Sequence, residues 1–235
     1  MKKSILYLLC LSLNAVATAQ RPNEDRPFGS HFNFVLESGY SYRTAKVQEY
    51  IQGGLDDYAK SLKSGYNIGL NGNYFFKDNW GFGLKYAHFG SKGGAKGVFL
   101  GFTSQSDVIY GKITDNIGID YIGPSYLNRF FFGSSKRHAL NTGVGLGYMR
   151  YKDKATAANA DVLITGSTLG SFFDMGYDYS ITKEISVGLK SGYYAGVLNS
   201  YTIQRDSERY VEKLDKDNRE GLGRLDLNLG LVVKI

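Results

Sequence analysis

The chain has 235 residues, 43% of them hydrophobic and 21% charged, with abundant Gly (30) and Tyr (19) and little Pro (3). That balance excludes a disordered chain and a bundle of apolar helices, and the length suits one large β domain. The formal charge of +6 is dispersed and too mild to argue for nucleic acid as a partner.

The chain opens with Lys2 and Lys3, an apolar run from Ile5 to Leu13, and Ala17-Thr18-Ala19 before Gln20. This is the pattern of a cleaved signal peptide over residues 1–19, and the run is too short to span a bilayer as a helix. Cys10 lies inside it, so no cysteine follows and no disulfide stabilises the rest. Residues 20–30 carry two of the three prolines and read as an extended periplasmic lead; residues 31–235 read as the folded domain.

From His31 onward the chain alternates with a period of two. The first strand, His31 to Arg43, sets Phe32, Phe34, Leu36, Tyr40 and Tyr42 against Asn33, Glu37, Gly39 and Ser41. Residues 44–63 form a polar loop with a short helix near Leu55 to Leu62. Strands follow over Ser64 to Phe76 and Trp80 to Phe89, joined by the turn Lys77-Asp78-Asn79. Residues 90–116 are a long loop whose patches Val98 to Phe102 and Val108 to Tyr110 extend the hairpin. Ile117 to Asn128 is the least regular strand, where Gly123-Pro124 predicts a bulge. After a short turn over Phe131 to Arg137 come strands Leu140 to Tyr151, Leu169 to Ile181, Ile185 to Leu198 and Leu225 to Ile235. Loops 152–167 and 199–221 and the turn 182–184 join them. Eight strands with short turns and long loops in strict alternation predict an all-β fold: an antiparallel up-and-down transmembrane barrel with four long outer loops.

A soluble ligand-binding barrel alternates too, with its apolar face inward. The polar parity argues against that. Glycine recurs on it (Gly39, Gly69, Gly81, Gly83, Gly118, Gly143, Gly145, Gly147, Gly170, Gly176, Gly188, Gly192, Gly196, Gly230), whereas Gly72 and Gly123 fall on the apolar parity. Bare glycine suits a crowded interior better than a wet exterior. Within these spans the apolar parity carries no Asp, Glu or Lys, and Tyr42, Tyr74, Tyr86, Tyr148 and Tyr179 sit near strand ends as interfacial girdles do.

With the A-x-A-Q start, the Y-I-G-P-S-Y segment (Tyr121 to Tyr126) and the alternating closing strand in place, residues 31–235 resemble the small outer-membrane β-barrels of Gram-negative cells, such as the OmpA transmembrane domain and OmpX. The resemblance implies residence in the cell outer membrane, contact with its lipid, and recognition by the barrel-assembly machinery during biogenesis. In the family the last strand is the assembly signal; here Leu227, Leu229, Leu231, Val233 and Ile235 match it, with Ile235 where Phe is usual.

The interior parity collects Glu37, Asp120, Asp174, Asp178 and Asp226 against Arg43, Lys85, Lys190, Arg224 and Lys234. A proton path would use such residues. Balanced signs in a narrow lumen predict instead an ion-pair plug, with Glu37, Lys85, Asp120, Asp174, Asp178, Lys190, Arg224 and Asp226 as its members. His31, His88 and His138 have no metal-ligand spacing, and the His-x-Ser pair of lipid-cleaving barrels is absent, so no metal, cofactor or catalytic residue is expected. The expected role is structural or surface-interacting, any ligand being met by loops 44–63, 90–116, 152–167 and 199–221. A small-solute channel or ligand-binding barrel is the alternative, and an outer-leaflet lipid enzyme the third reading.

Overall fold

The computed structural model describes residues 31–45, 56–102, 108–157, 160–205, 208–216 and 219–235. The expected signal peptide (1–19) and lead (20–30) lie outside the described residues. The elements are β1 (Phe32–Arg43), α1 (Asp56–Lys63), β2 (Ser64–Lys77), β3 (Trp80–Phe102), β4 (Val108–Phe132), β5 (His138–Ala157), β6 (Ala160–Ser180), β7 (Ile185–Leu198), β8 (Ser200–Arg205), β9 (Glu208–Lys213), β10 (Glu220–Gly221) and β11 (Arg224–Lys234).

Eight strands close a ring in the order β1–β2–β3–β4–β5–β6–β7–β11, every neighbouring pair antiparallel. The seam between β1 and β11 runs unbroken from Asn33↔Lys234 to Arg43↔Arg224. Beyond it, the Ile235 N–H donates to the Phe32 carbonyl at 2.8 Å. Closure leaves the ring without an open edge, the condition for a sheet surrounded by lipid. Short turns cluster at one end of the ring, called here the turn end; the longer excursions leave from the other, the loop end.

Two expectations are revised. The β3–β4 hairpin extends to Phe102↔Val108, as the Val98 to Phe102 and Val108 to Tyr110 patches imply, but more of the predicted loops is ladder: β5 and β6 pair out to Ala157↔Ala160, and β8–β9 form a hairpin against β6. Alternation fades there because neither side of the extension faces lipid, so the pattern that marks the lower strands has no cause to persist. Gly123-Pro124 does not make a bulge. The β4–β5 pairing skips both residues yet holds one register, from Ile122↔Tyr148 to Ser125↔Gly145. Proline lacks only the donor, and the ladder tolerates the gap. Register shifts occur instead near Phe75, between Ala95 and Val98, and between Phe99 and Gly101.

The outward face is a continuous apolar belt that includes Leu36, Leu70, Leu84, Leu146, Leu189 and Leu229, with Leu169 81% exposed. Leu227, Leu231, Val233 and Ile235 of the closing segment lie on it too. A soluble protein does not expose a band of this extent. It is the lipid-facing surface of a transmembrane barrel, ringed by Tyr42, Tyr66, Tyr86 and Tyr148 toward the loop end and by Tyr74 and Tyr179 toward the turn end.

Candidate functional site

The lumen is where the strands place their least expected side chains. Toward the turn end and mid-height it is polar. Lys85 of β3 donates to Glu37 of β1 and to Asp174 of β6, each at 2.8 Å, and Lys190 of β7 lies 3.8 Å from the second Glu37 oxygen. Asp178 accepts from the Asn141 amide at 2.7 Å. Lys85, Asp174, Lys190, Asn141 and Asp178, with Asn71 and Asn73, line a cavity of about 40 Å³, large enough for water. Among the described residues no protein donor reaches Oδ1 of Asn71, Asn73 or Asp178, the kind of acceptor that ordered water satisfies. Below, the Arg129 guanidinium lies over the Phe75 ring at 3.8 Å.

Toward the loop end the lumen changes character. Tyr121 meets Phe172 and Tyr194 edge-on, both at 5.4 Å between ring centres, and Phe172 stacks on Tyr194 at 5.8 Å. Phe89, Ile119, Met149, Leu198 and Leu222 complete a buried apolar cluster, and Leu62 of α1 packs into it from the mouth. Arg224 is fully buried among them, its guanidinium 4.2 Å from the Tyr194 ring centre and 3.3 Å from Asp226, which also accepts from Ser41. Inward glycines make the room. A Cβ on Gly147 would stand 2.7 Å from the Tyr121 ring, and one on Gly145 2.6 Å from the Phe172 ring.

The filling of the lumen is therefore only partly ionic, and the set of residues expected in it changes. Glu37, Lys85, Asp174, Asp178, Lys190, Arg224 and Asp226 face the lumen, as do Arg43 and Lys234. Asp120 does not. On β4 the odd residues Ile117, Ile119 and Tyr121 point inward, the last two fully buried, so Gly118 and Asp120 point outward and Gly123 inward. The parity was inverted on this strand because its more apolar face lines an apolar stretch of lumen rather than lipid. Asp120 sits at the outer rim instead. It accepts from Arg150 at 2.8 and 3.1 Å and from the Tyr86 hydroxyl at 3.0 Å, with His88 Nδ1 2.8 Å away. Its carboxylate is 18% exposed and the Arg150 side chain 61%.

Sequence reasoning also missed an acidic pair above the barrel belt. Asp115 and Asp153 share the inward face of the β4–β5 extension, beside the Arg43–Glu220 ion pair. Burial, then the neighbouring Asp153, pushes the Asp115 carboxyl up to about 7. Both residues lay in segments read as loops. Among the described residues no cluster of His, Cys, Asp and Glu is arranged to hold a metal.

No family model matches the chain, and no curated protein matches it. Solved structures do. It is similar to the neisserial surface protein NspA (14% identity, TM-score 0.51, 87% of this chain and 97% of that one). It is also similar to the outer-membrane protein OprG of Pseudomonas aeruginosa (15%, 0.53, 90% and 100%). The outer-membrane protease OmpT of Escherichia coli matches at 8% identity and TM-score 0.50, over 87% and 97%. At such identities the likeness shows the fold, that of the outer-membrane β-barrels. That one neighbour is a protease shows that the fold alone assigns no role.

Proposed function

We propose that this chain resides in the outer membrane of a Gram-negative cell as a closed, non-conducting barrel whose role is interaction at the cell surface. One observation carries the reading: the lumen is filled at successive levels, by the Lys85 ion pairs and then by the Tyr121–Phe172–Tyr194 rings. A filled interior is what eight strands leave room for, whereas aqueous channels belong to wider barrels. With conduction set aside, the part left to act is the sheet that β3–β6, β8 and β9 raise above the lipid belt. The role proposed is non-enzymatic. Its partners are outer-membrane lipid, the assembly machinery, which would read Leu227, Leu229, Leu231, Val233 and Ile235, and a ligand met by the raised sheet.

Fractionation of cells and planar-bilayer recording test this together. The mature protein is expected in the outer-membrane fraction, resistant to carbonate, and the purified protein is expected to give no stable conductance. Recovery in the soluble periplasm would overturn the location, and stable ion-selective openings would replace the plug with the small-solute channel. For assembly, Leu229→Asp places a charge on the lipid face and is expected to lower the amount of folded barrel sharply, read as heat-modifiable mobility on a gel.

A further inference from the structure

The pairing register arranges the outward residues of three strands into rows just above the tyrosine girdle. Reading across β3, β4 and β5, the rows are His88–Asp120–Arg150, then Gly90–Gly118–Lys152, then Lys92–Asn116–Lys154. Rows two residues apart are roughly 6.6 Å apart, and neighbouring strands roughly 4.8 Å. Arg150, Lys152 and Lys154 therefore climb one column directly above Tyr148, and Lys92 faces Lys154 across about 10 Å. All four cations are exposed. Arg150 is bound to Asp120, while Lys92, Lys152 and Lys154 form no ion pair among the described residues.

Exposed Asn116 stands between Lys92 and Lys154, and in the row below it the floor beside Lys152 is bare backbone, at Gly118 and Gly90. The Tyr66 ring covers Gly90, where an added Cβ would lie 2.7 Å from it. At Gly118 an added Cβ would meet nothing nearer than His88 at 3.5 Å, so this part of the floor is open. Asp120, the acid beside it, is already engaged by Arg150, Tyr86 and His88. The result is a shallow outward basin with an open glycine floor, three uncommitted ammonium groups around it, and the apolar residues Ile122 and Tyr148 below the intervening His88–Asp120–Arg150 row.

We propose that this basin binds the phosphate group of an outer-leaflet lipid. The inference rests on the membrane placement proposed above. The occupant follows from position and charge. Lys152 stands two rows above the Tyr148 row and Lys92 and Lys154 three, on the polar side of the aromatic girdle where headgroups lie. Clustered lysines take phosphate as point charges, and the belt that begins below the His88–Asp120–Arg150 row offers the same molecule's acyl chains an apolar wall.

The test uses full-length mature protein in nanodiscs of phosphatidylcholine, doped with either diphosphorylated lipid A or its dephosphorylated form. Retained lipid is counted by native mass spectrometry, and the thermal midpoint is read alongside. The phosphorylated form is expected to be retained preferentially and to raise the midpoint. Replacing the three lysines together (Lys92→Gln, Lys152→Gln, Lys154→Gln) is expected to weaken retention by roughly a hundredfold, at about fivefold per lysine. The distant pair Arg209→Gln and Lys213→Gln on β9 controls for loss of surface cations elsewhere and is expected to leave retention unchanged. Equal retention of both lipid forms, or an unaffected triple variant, overturns the proposal. So does stronger capture of a soluble polyanion such as heparin than of the lipid, which would make the basin a site for a soluble ligand. Because these readouts use reconstituted protein, they fail or succeed separately from the cellular location.

Discussion

Toward the turn end of the lumen Lys85 holds Glu37 and Asp174 at 2.8 Å each; toward the loop end Tyr121, Phe172 and Tyr194 meet ring to ring at 5.4 to 5.8 Å. The two levels fill the same narrow tube by different means. Ionic filling is directional: each buried charge depends on a particular partner, and its Coulomb gain is largely offset by desolvation. Aromatic filling depends on shape, and works because Gly145 and Gly147 leave space under the rings. The ionic level is thus the more brittle to loss of a single partner, and the aromatic level the more brittle to an added methyl group.

Lys85→Ala should be the most damaging single change, since it removes the ammonium from Asp174 and leaves Glu37 only Lys190 at 3.8 Å. It is expected to cost about 3–5 kcal/mol, read as the urea midpoint of the reconstituted barrel. Replacing all three members by isosteric neutral residues (Lys85→Met, Glu37→Gln, Asp174→Asn) should recover much of that loss. If it does not, the ionic level does more than neutralise itself. Next comes Tyr121→Ala, expected to cost about 3 kcal/mol through the cavity it leaves. It should still give no stable conductance, because the level beneath remains filled.

Gly147→Ala tests the same level by addition. The new methyl would meet the Tyr121 ring at 2.7 Å, and about 1–3 kcal/mol is expected to be lost, whereas Gly118→Ala, in open space, should be near neutral. Lys190→Ala should fall between Lys85→Ala and the surface change Lys213→Ala, since Lys190 stands 3.8 Å from Glu37 rather than 2.8 Å. Lys213→Ala itself should stay within about 0.5 kcal/mol.

A pH dependence is set above both levels. Asp115, pushed up to about 7 by burial and by Asp153, binds a proton more tightly folded than unfolded. The native state is therefore favoured below the ordinary carboxylate range, and that advantage is lost as pH rises from about 4 towards 7. The thermal midpoint is expected to fall over that window, and Asp115→Asn to flatten the change.

The same contrast explains what could be read from the chain. β1, β5, β7 and β11 alternate apolar with Gly, Asn and charged residues, so their lipid faces follow from the pattern alone. On β4 the more apolar face of Ile117 to Ile122, made by Ile117, Ile119 and Tyr121, is the inward one, because it meets Phe89, Met149 and Tyr194 instead of water or ions. Assigning the more apolar face to lipid presumes a polar lumen throughout, and that failed for Asp120. A signal was present: Gly143, Gly145 and Gly147 on β5 leave a pocket that large inward neighbours must fill, which Tyr121 does. Asp115 and Asp153 were out of reach, lying where alternation no longer distinguishes strand from loop.

The Lys85 bridge has a kinetic consequence. Its partners stand on β1 and β6, 48 and 89 residues away in the chain and on different staves of the barrel. A sheet not yet curled cannot bring Lys85 to both walls at once, and each half-formed intermediate carries an ammonium group with an incomplete set of counter-charges. The Glu37 half can form within β1–β2–β3, where Glu37 lies over Gly69, but the stabilisation is complete only when the sheet curls to bring Asp174 across the lumen and the seam from Asn33 to Arg43 zips against β11. Contacts this distant in sequence form late. Insertion is thus expected to be all-or-none, with the bridge acting as a latch that engages fully only once the last strand is home.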